Sequence, residues 1–445
     1  MLRPGWPRST PHASGPERVA VLVVFTLALS IALVTRVSPL SQQFRDAALG
    51  CVLGLAATYV IAIVPHRTVL LYALRQFLTL ASLLLCSYLI SAVYSPELSS
   101  ALVTIIQLAL VLFWVLFISL LPWDVTLTAV AYVLFVLFVL VNATIWCIEG
   151  FNSPFTGFLQ HKNVFGAVLF SGAFFLILFP LHPVLSPPRV GFRTRLPRLG
   201  TTLFSAAILA VACLLLWASG SRTAQLSIIA TVLTYAAWPR IVRSTLSHVS
   251  VFLAIVVSTI GGVFFYVSLS QYSIFDSLRE IAQRYSGAEL YSGRELLWPM
   301  VLDHISQKPI FGWGAGFREE EILSDFLGEA THAHNLYLAV ALQTGIMGLV
   351  LLFGVLYSIW SIYRCPNSDR VVRLSAAFFV GILFHQWFEL SLTQNNVSVG
   401  VLFWTIIGLG MNRALLLHVR GIDSLPSSAD HWSRNPSPHI SHANP

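Results

Sequence analysis

Long apolar runs separated by short polar connections dominate the chain. Runs of roughly 17–25 residues, enough for a helix to cross a hydrocarbon core, recur about twelve times. They lie near 19–34, 47–64, 70–93, 101–121, 125–148, 164–181, 201–218, 224–238, 249–269, 335–363, 372–388 and 397–417, the one near 224–238 being short. One connection breaks the rhythm, the polar stretch 270–333. The pattern predicts an all-α polytopic integral membrane protein: about twelve transmembrane helices and one large external loop containing short helices. The expected order is a tail over 1–18, nine spans over 19–269, the loop over 270–333, three spans over 334–418 and a disordered tail over 419–445.

Composition agrees. Hydrophobic residues make up 56% and charged residues 10%, whereas a soluble domain carries about a quarter charged residues. Mean hydropathy is +0.77. The net charge of +7 would point to nucleic acid in a soluble chain; here it is read loop by loop. Arg67, Arg189, Arg193, Arg195, Arg198, Arg240, Arg243, Arg364, Arg370, Arg373, Arg413 and Arg420 all fall on one side, while the turns near 95–99 and 394–396 on the other side have no basic residue. The positive-inside rule then puts both termini in the cytoplasm and the long loop outside, with no nucleic-acid partner. The basic 1–18 segment before an apolar run resembles a signal peptide but lacks a small-residue cleavage site, so an uncleaved first span is expected. The five cysteines, Cys51, Cys86, Cys147, Cys213 and Cys365, show neither metal nor disulfide spacing and read as small buried apolar residues.

Basic residues on the outside run against the bias, and these mark candidate chemistry. They are Arg36 with Arg45, the FLQHKN segment with His161 and Lys162, and the ASGSRT turn with Arg222. Lys162 is one of two lysines in the chain. Arg222 opens a helix after a Ser–Gly–Ser turn, where a guanidinium and backbone N–H groups suit phosphate oxygens; the alternative is an arginine reaching to lipid headgroups. In the long loop, Ser292 can cap a helix whose Leu297, Trp298, Val301, Leu302 and Ile305 share a face. Arg294 would lie in its first turn, where a cation gains nothing from the helix dipole unless an anion is bound; pairing with Glu289 or Glu295 is the alternative. Pro299 is expected to kink or delay this helix. The run Gly312, Gly314, Gly316 reads as a tight turn with Trp313 at the interface.

The stretch 331–348 carries the densest signal. His332 and His334 stand at the mouth of a span, where a histidine can take a proton near neutral pH. Asn335 follows, and then an apolar segment with Gly345 and Gly348, which are expected to allow close helix contact. No standard zinc spacing is present. No charge falls near the middle of any span, which argues against an ion-coupled transporter.

These residues resemble the O-antigen ligase and polysaccharide polymerase superfamily. The resemblance rests on His334–Asn335, nine residues, then Gly345-x-x-Gly348; on Ser221–Arg222 between two spans; on an Arg294-led helix before Pro309-x-x-Gly312; and on the 157–166 stretch GFLQHKNVFG, similar to the exopolysaccharide-polymerase branch. It implies a cofactor-free, metal-independent glycosyl transfer at the extracytoplasmic face of a bacterial inner membrane. The donor would be a glycan on undecaprenyl pyrophosphate, and the acceptor a hydroxyl of a glycan or glycolipid. Arg222 and Arg294 would bind the pyrophosphate and His334 would be catalytic, with His332, Asn335, Lys162 and His161 supporting. Two guanidinium groups can neutralise a leaving pyrophosphate as a metal would. The alternatives are a lipid-linked glycan transporter or flippase, and a scaffold for a synthesis complex. Polymerase and ligase both stay open, the His–Lys–Asn segment favouring the former.

Overall fold

The computed structural model describes residues 15–34, 42–63, 68–121, 125–159, 161–181, 195–269, 280, 294–317, 322, 334–365, 368–394 and 396–423. His332, the Ser292 cap and the tail beyond 423 lie outside them. The described residues form helices and no strand. In chain order these are α1 Gly15–Val34, α2 Gln42–Ile63, α3 Thr68–Ala92, α4 Leu98–Leu120, α5 Val125–Ile148, α6 Lys162–Leu178 and α7 Arg195–Ser219. Then follow α8 Arg222–Ile241, α9 Thr245–Leu269, α10 Arg294–Gln307, α11 Leu336–Tyr363, α12 Arg370–His385 and α13 Val397–Asp423.

Every apolar run of the sequence coincides with a helix. Eight of these are long and apolar enough to cross a membrane, within α1, α3, α4, α5, α7, α9, α11 and α13; Ala47–Ile63 and Lys162–Leu178 are shorter apolar helices. The helices α8 and α12 fall outside both groups. Arg222 and Arg240 sit at the ends of α8, and Arg370 and Arg373 open α12.

The bundle is organised around α13, whose apolar stretch is 89% buried, against 22% in α9 and 28% in α7. Helix α13 packs on α4, while α12 packs on α8, α11 on α3 and α6 on α7. Buried polar groups along α13 find partners: Trp404 Nε1 donates to Leu392 O at 2.7 Å, and Thr405 Oγ1 accepts from Trp114 Nε1 at 2.9 Å. Asn412 Nδ2 donates to the Ser119 and Leu121 carbonyls, satisfying acceptors left open where α4 ends. On the side expected to be inner, Asp369 caps α12 through the Val371 and Val372 N–H groups and pairs with Arg413 at 2.7 Å.

Three expectations change. The run over 335–363 is broken at Gly345, which has φ 69° and ψ −168°. Residues 336–344 therefore form a separate helix, buried on every side, and the span proper follows it. Gly345 thus does not serve helix–helix contact: a Cβ on it would overlap the Ile310 carbonyl, so this glycine lets the turn after α10 reach the break, while Gly348 lies against the Thr344 side chain. Pro299 lies inside α10, whose helical assignment runs through it from Arg294 to Gln307. Of the cysteines only Cys365 is buried; Cys51, Cys86, Cys147 and Cys213 are free and exposed on helix surfaces. As apolar groups they suit lipid as well as a protein interior.

Candidate active site at the outer ends of the helices

Two features fix the His334 end of α11. Asn335 accepts from the N–H groups of Tyr337 and Leu338 at 3.0 Å each, capping the helix, and its Nδ2 donates to Trp387 O at 3.0 Å. The Leu336 N–H donates to Gln386 O at 3.1 Å. His334 itself takes φ 48°, a left-handed conformation uncommon outside glycine and a form of strain associated with functional positions.

The partner strip is the connection after α12. Gln386 Oε1 accepts from the N–H groups of Ser391 and Leu392 at 2.9 and 3.1 Å, closing 386–392 into a tight turn. Trp387 Nε1 donates to Thr259 Oγ1 at 2.8 Å, tying the turn to α9. Glu389 stands in that turn with its side chain 13% exposed, and its Oε2 lies 3.7 Å from His334 Nδ1, an ion-pair contact longer than a hydrogen bond. Its Oε1 accepts from Asn163 Nδ2 at 2.7 Å.

Asn163 carries the contact on to the Ser–Arg turn. Ser221 Oγ donates to Asn163 Oδ1 at 3.5 Å, a long bond. Gly220 (φ 65°) makes the turn, and Gly166 lets α6 approach it, since a Cβ there would run into Ser221. Arg222 follows as the first residue of α8 and is exposed. His161 caps α6 by accepting from the Val164 N–H at 3.5 Å, and Lys162 beside it is exposed.

Arg294 reaches the same strip from the long loop between α9 and α11. Its guanidinium donates to Phe388 O at 3.0 Å and lies 5.2 Å from the Phe388 ring centre. As the sequence predicts, α10 buries Leu297, Trp298 and Val301, with Leu302 and Ile305 partly covered. Beyond α10, the turn Pro309–Gly312 docks on the break in α11. Ile346 N–H donates to Pro309 O at 2.7 Å, and the N–H groups of Trp313 and Gly314 donate to the carbonyls of Leu342 and Gln343 at 2.8 and 3.1 Å. These bonds satisfy the backbone groups that a broken helix exposes. The glycine run is therefore a docking edge: Gly312 lies against Gln343 and Gly314 against Ser95. Trp313 seals it, Nε1 donating to His304 O at 2.7 Å.

Burial alone would raise the carboxyl pKa of Glu389, but His334, His385 and Arg294 around it outweigh burial and hold it below the usual 4.5. The strip is thus an anionic point with cationic groups arriving from separate segments. His334, Asn335 and Arg294 meet on 386–389, Asn163 joins through Glu389, and Arg222 follows Ser221, which contacts Asn163. Glu389 is the residue that motif reading misses. The available signal was its isolation, since it is the sole charge in the outer connection 386–396. Among the described residues, no three His, Cys, Asp or Glu side chains gather as metal ligands.

The chain is similar to known proteins over part of its length. Residues 206–353 match the family model described as O-Antigen ligase. That span includes Ser221, Arg222, Arg294, His334, Asn335, Gly345 and Gly348, and excludes Asn163 and Glu389. The chain is also 28% identical over 184 residues to the exopolysaccharide production protein ExoQ of Rhizobium meliloti (strain 1021), covering 35% of this chain and 42% of that protein. The match thus spans less than half the length of that relative. Residues 206–353 are thus similar to O-antigen ligases, and part of the chain is similar to an exopolysaccharide production protein.

Proposed function

We propose that the protein is a membrane glycosyltransferase that lengthens or attaches a surface polysaccharide. The donor is a glycan on undecaprenyl pyrophosphate, and the acceptor is a hydroxyl of a glycan or glycolipid. In this reading the helices of all twelve apolar runs cross the inner membrane, both termini are cytoplasmic and the 386–389 strip faces outward. The observation that carries the proposal is the meeting of His334, Arg294 and the Asn163–Ser221 contact on that strip.

The chemistry divides among few groups. His334 takes the proton of the acceptor hydroxyl as its oxygen attacks the anomeric carbon. The bond from that carbon to the pyrophosphate oxygen breaks, and undecaprenyl pyrophosphate leaves with the bonding electrons. Arg222 and Arg294 hold the leaving group and offset its growing charge, so no metal is required. Asn335 orients His334, and Lys162 and His161 line the approach to the Ser–Arg turn. Polymerase action is favoured by Asn163, which brings the His–Lys–Asn segment into contact with Glu389.

Purified protein in liposomes with a labelled lipid-linked donor tests the proposal. New glycosidic bonds are expected, a ladder of repeats for a polymerase and one bond per acceptor for a ligase. Translocation of the donor without bond formation would replace the proposal with a flippase. His334→Ala is expected to cut turnover by about 10²–10⁴-fold while sparing donor binding. Arg222→Lys and Arg294→Lys are expected to bind donor weakly, because a point charge cannot reproduce a guanidinium fork.

A further inference from the structure

We infer that Glu389, held by Asn163, is the positioning residue for His334: its carboxylate fixes which ring nitrogen carries the proton and steadies the charged ring during transfer. This rests on the proposed role of His334 and adds two residues outside the family match.

Three observations carry it. The atom of His334 that faces Glu389 is Nδ1, and that atom is buried. The side chain is nevertheless 33% exposed, so its accessible surface lies on the rest of the ring. A carboxylate beside Nδ1 favours the tautomer with the proton on Nδ1. It leaves the Nε2 lone pair as the base that an incoming hydroxyl can meet. The 3.7 Å separation closes to a hydrogen bond once substrate is bound, as contacts of this kind tighten on engagement.

The second observation is that Glu389 is itself oriented. Asn163 Nδ2 donates to Oε1, while Oε2 faces the ring. The Asn163 amide is set in turn, because its Oδ1 accepts from Ser221 Oγ. Each carboxylate oxygen therefore has a different neighbour, and the turn preceding Arg222 is three contacts from the imidazole. The third observation is the charge. A glutamine would accept the same bond from Asn163 without the penalty of burying an anion. A carboxylate kept ionised here gains its stabilisation from the His334 N–H that faces it and from the charge of Arg294.

When the acceptor hydroxyl gives its proton to Nε2, the imidazole becomes an imidazolium with Nδ1–H aimed at the Glu389 carboxylate. No proton passes to Glu389. The proton on Nε2 leaves to water after the glycosidic bond has formed.

The test is steady-state transfer in liposomes by wild type, Glu389→Gln, Glu389→Asp and Asn163→Ala, with donor KM, kcat and thermal melting read for each. Glu389→Gln keeps the shape and the bond from Asn163, so a folded protein with a cooperative melt below that of wild type, unchanged donor KM and a kcat lower by at least about 10²-fold are expected. Glu389→Asp keeps the charge on a shorter stem and should turn over about tenfold faster than the Gln variant. Asn163→Ala should lose kcat to a smaller degree than Glu389→Gln. Wild-type kcat in a folded Glu389→Gln protein overturns the inference while leaving the proposed function intact. So does a raised donor KM with kcat preserved, which would make Glu389 a brace for Arg294. If the Gln variant does not fold, the other two decide: reduced kcat at normal melting supports the inference, and full turnover in both overturns it. A wild type that forms no glycosidic bond removes the proposed function and this inference together.

Discussion

A single buried acid sets the electrostatics of the site, and its titration is measurable. Because the folded-state pKa of Glu389 is lowered, its ionisation stabilises the fold fully above its ordinary value of 4.5, and that stabilisation is lost as pH falls through the lower folded value. The melting temperature of wild type should therefore exceed that of Glu389→Gln at about pH 7, with the gap closing below 4.5. A gap independent of pH would show that the charge contributes nothing to stability. Much at this scale was legible: His334, Asn335, Arg222 and Arg294 stand out because polar and basic residues at span mouths are rare. Glu389 was not, since its significance comes from Asn163 and His334, which are 226 and 55 positions away in sequence and meet it only in the fold.

Elements show a similar division. The buried face of α10 follows from its apolar spacing, because periodicity is a local property. The break in α11 does not follow, because glycine is common in membrane helices and the run around it is apolar without interruption. Its reality depends on the Pro309–Gly312 turn, which supplies bonds in place of the missing helical ones. Gly345→Ala combines a left-handed φ with overlap on Ile310, so a destabilisation of more than about 1 kcal/mol is expected. The docked turn should then loosen, seen as faster proteolysis within 309–317 in detergent-solubilised protein. Cleavage at the wild-type rate with unchanged melting would mean the break tolerates a side chain.

At the scale of the whole molecule, the order of helices was readable because each apolar run satisfies its own backbone, whereas their neighbours were not. Sidedness rests on the arginine bias and has a direct check. With the native cysteines replaced, Ser99→Cys in the first turn of α4 should react with a membrane-impermeant thiol reagent in intact cells, and Ser244→Cys between α8 and α9 should not. The opposite labelling would turn the strip toward the cytoplasm and end the proposal. The fully buried helix over 336–344 has a further consequence. Its nine residues join two anchored ends, the histidine strip and the docked break, so it behaves as a gauge of set length and phase. One inserted residue would advance the histidine by about 1.5 Å and turn it by about 100°, and four would restore its heading but push it about 6 Å further out. Neither change leaves the ring opposite its acid, which gives the spacing between the His–Asn pair and the first glycine a geometric reason to stay at nine.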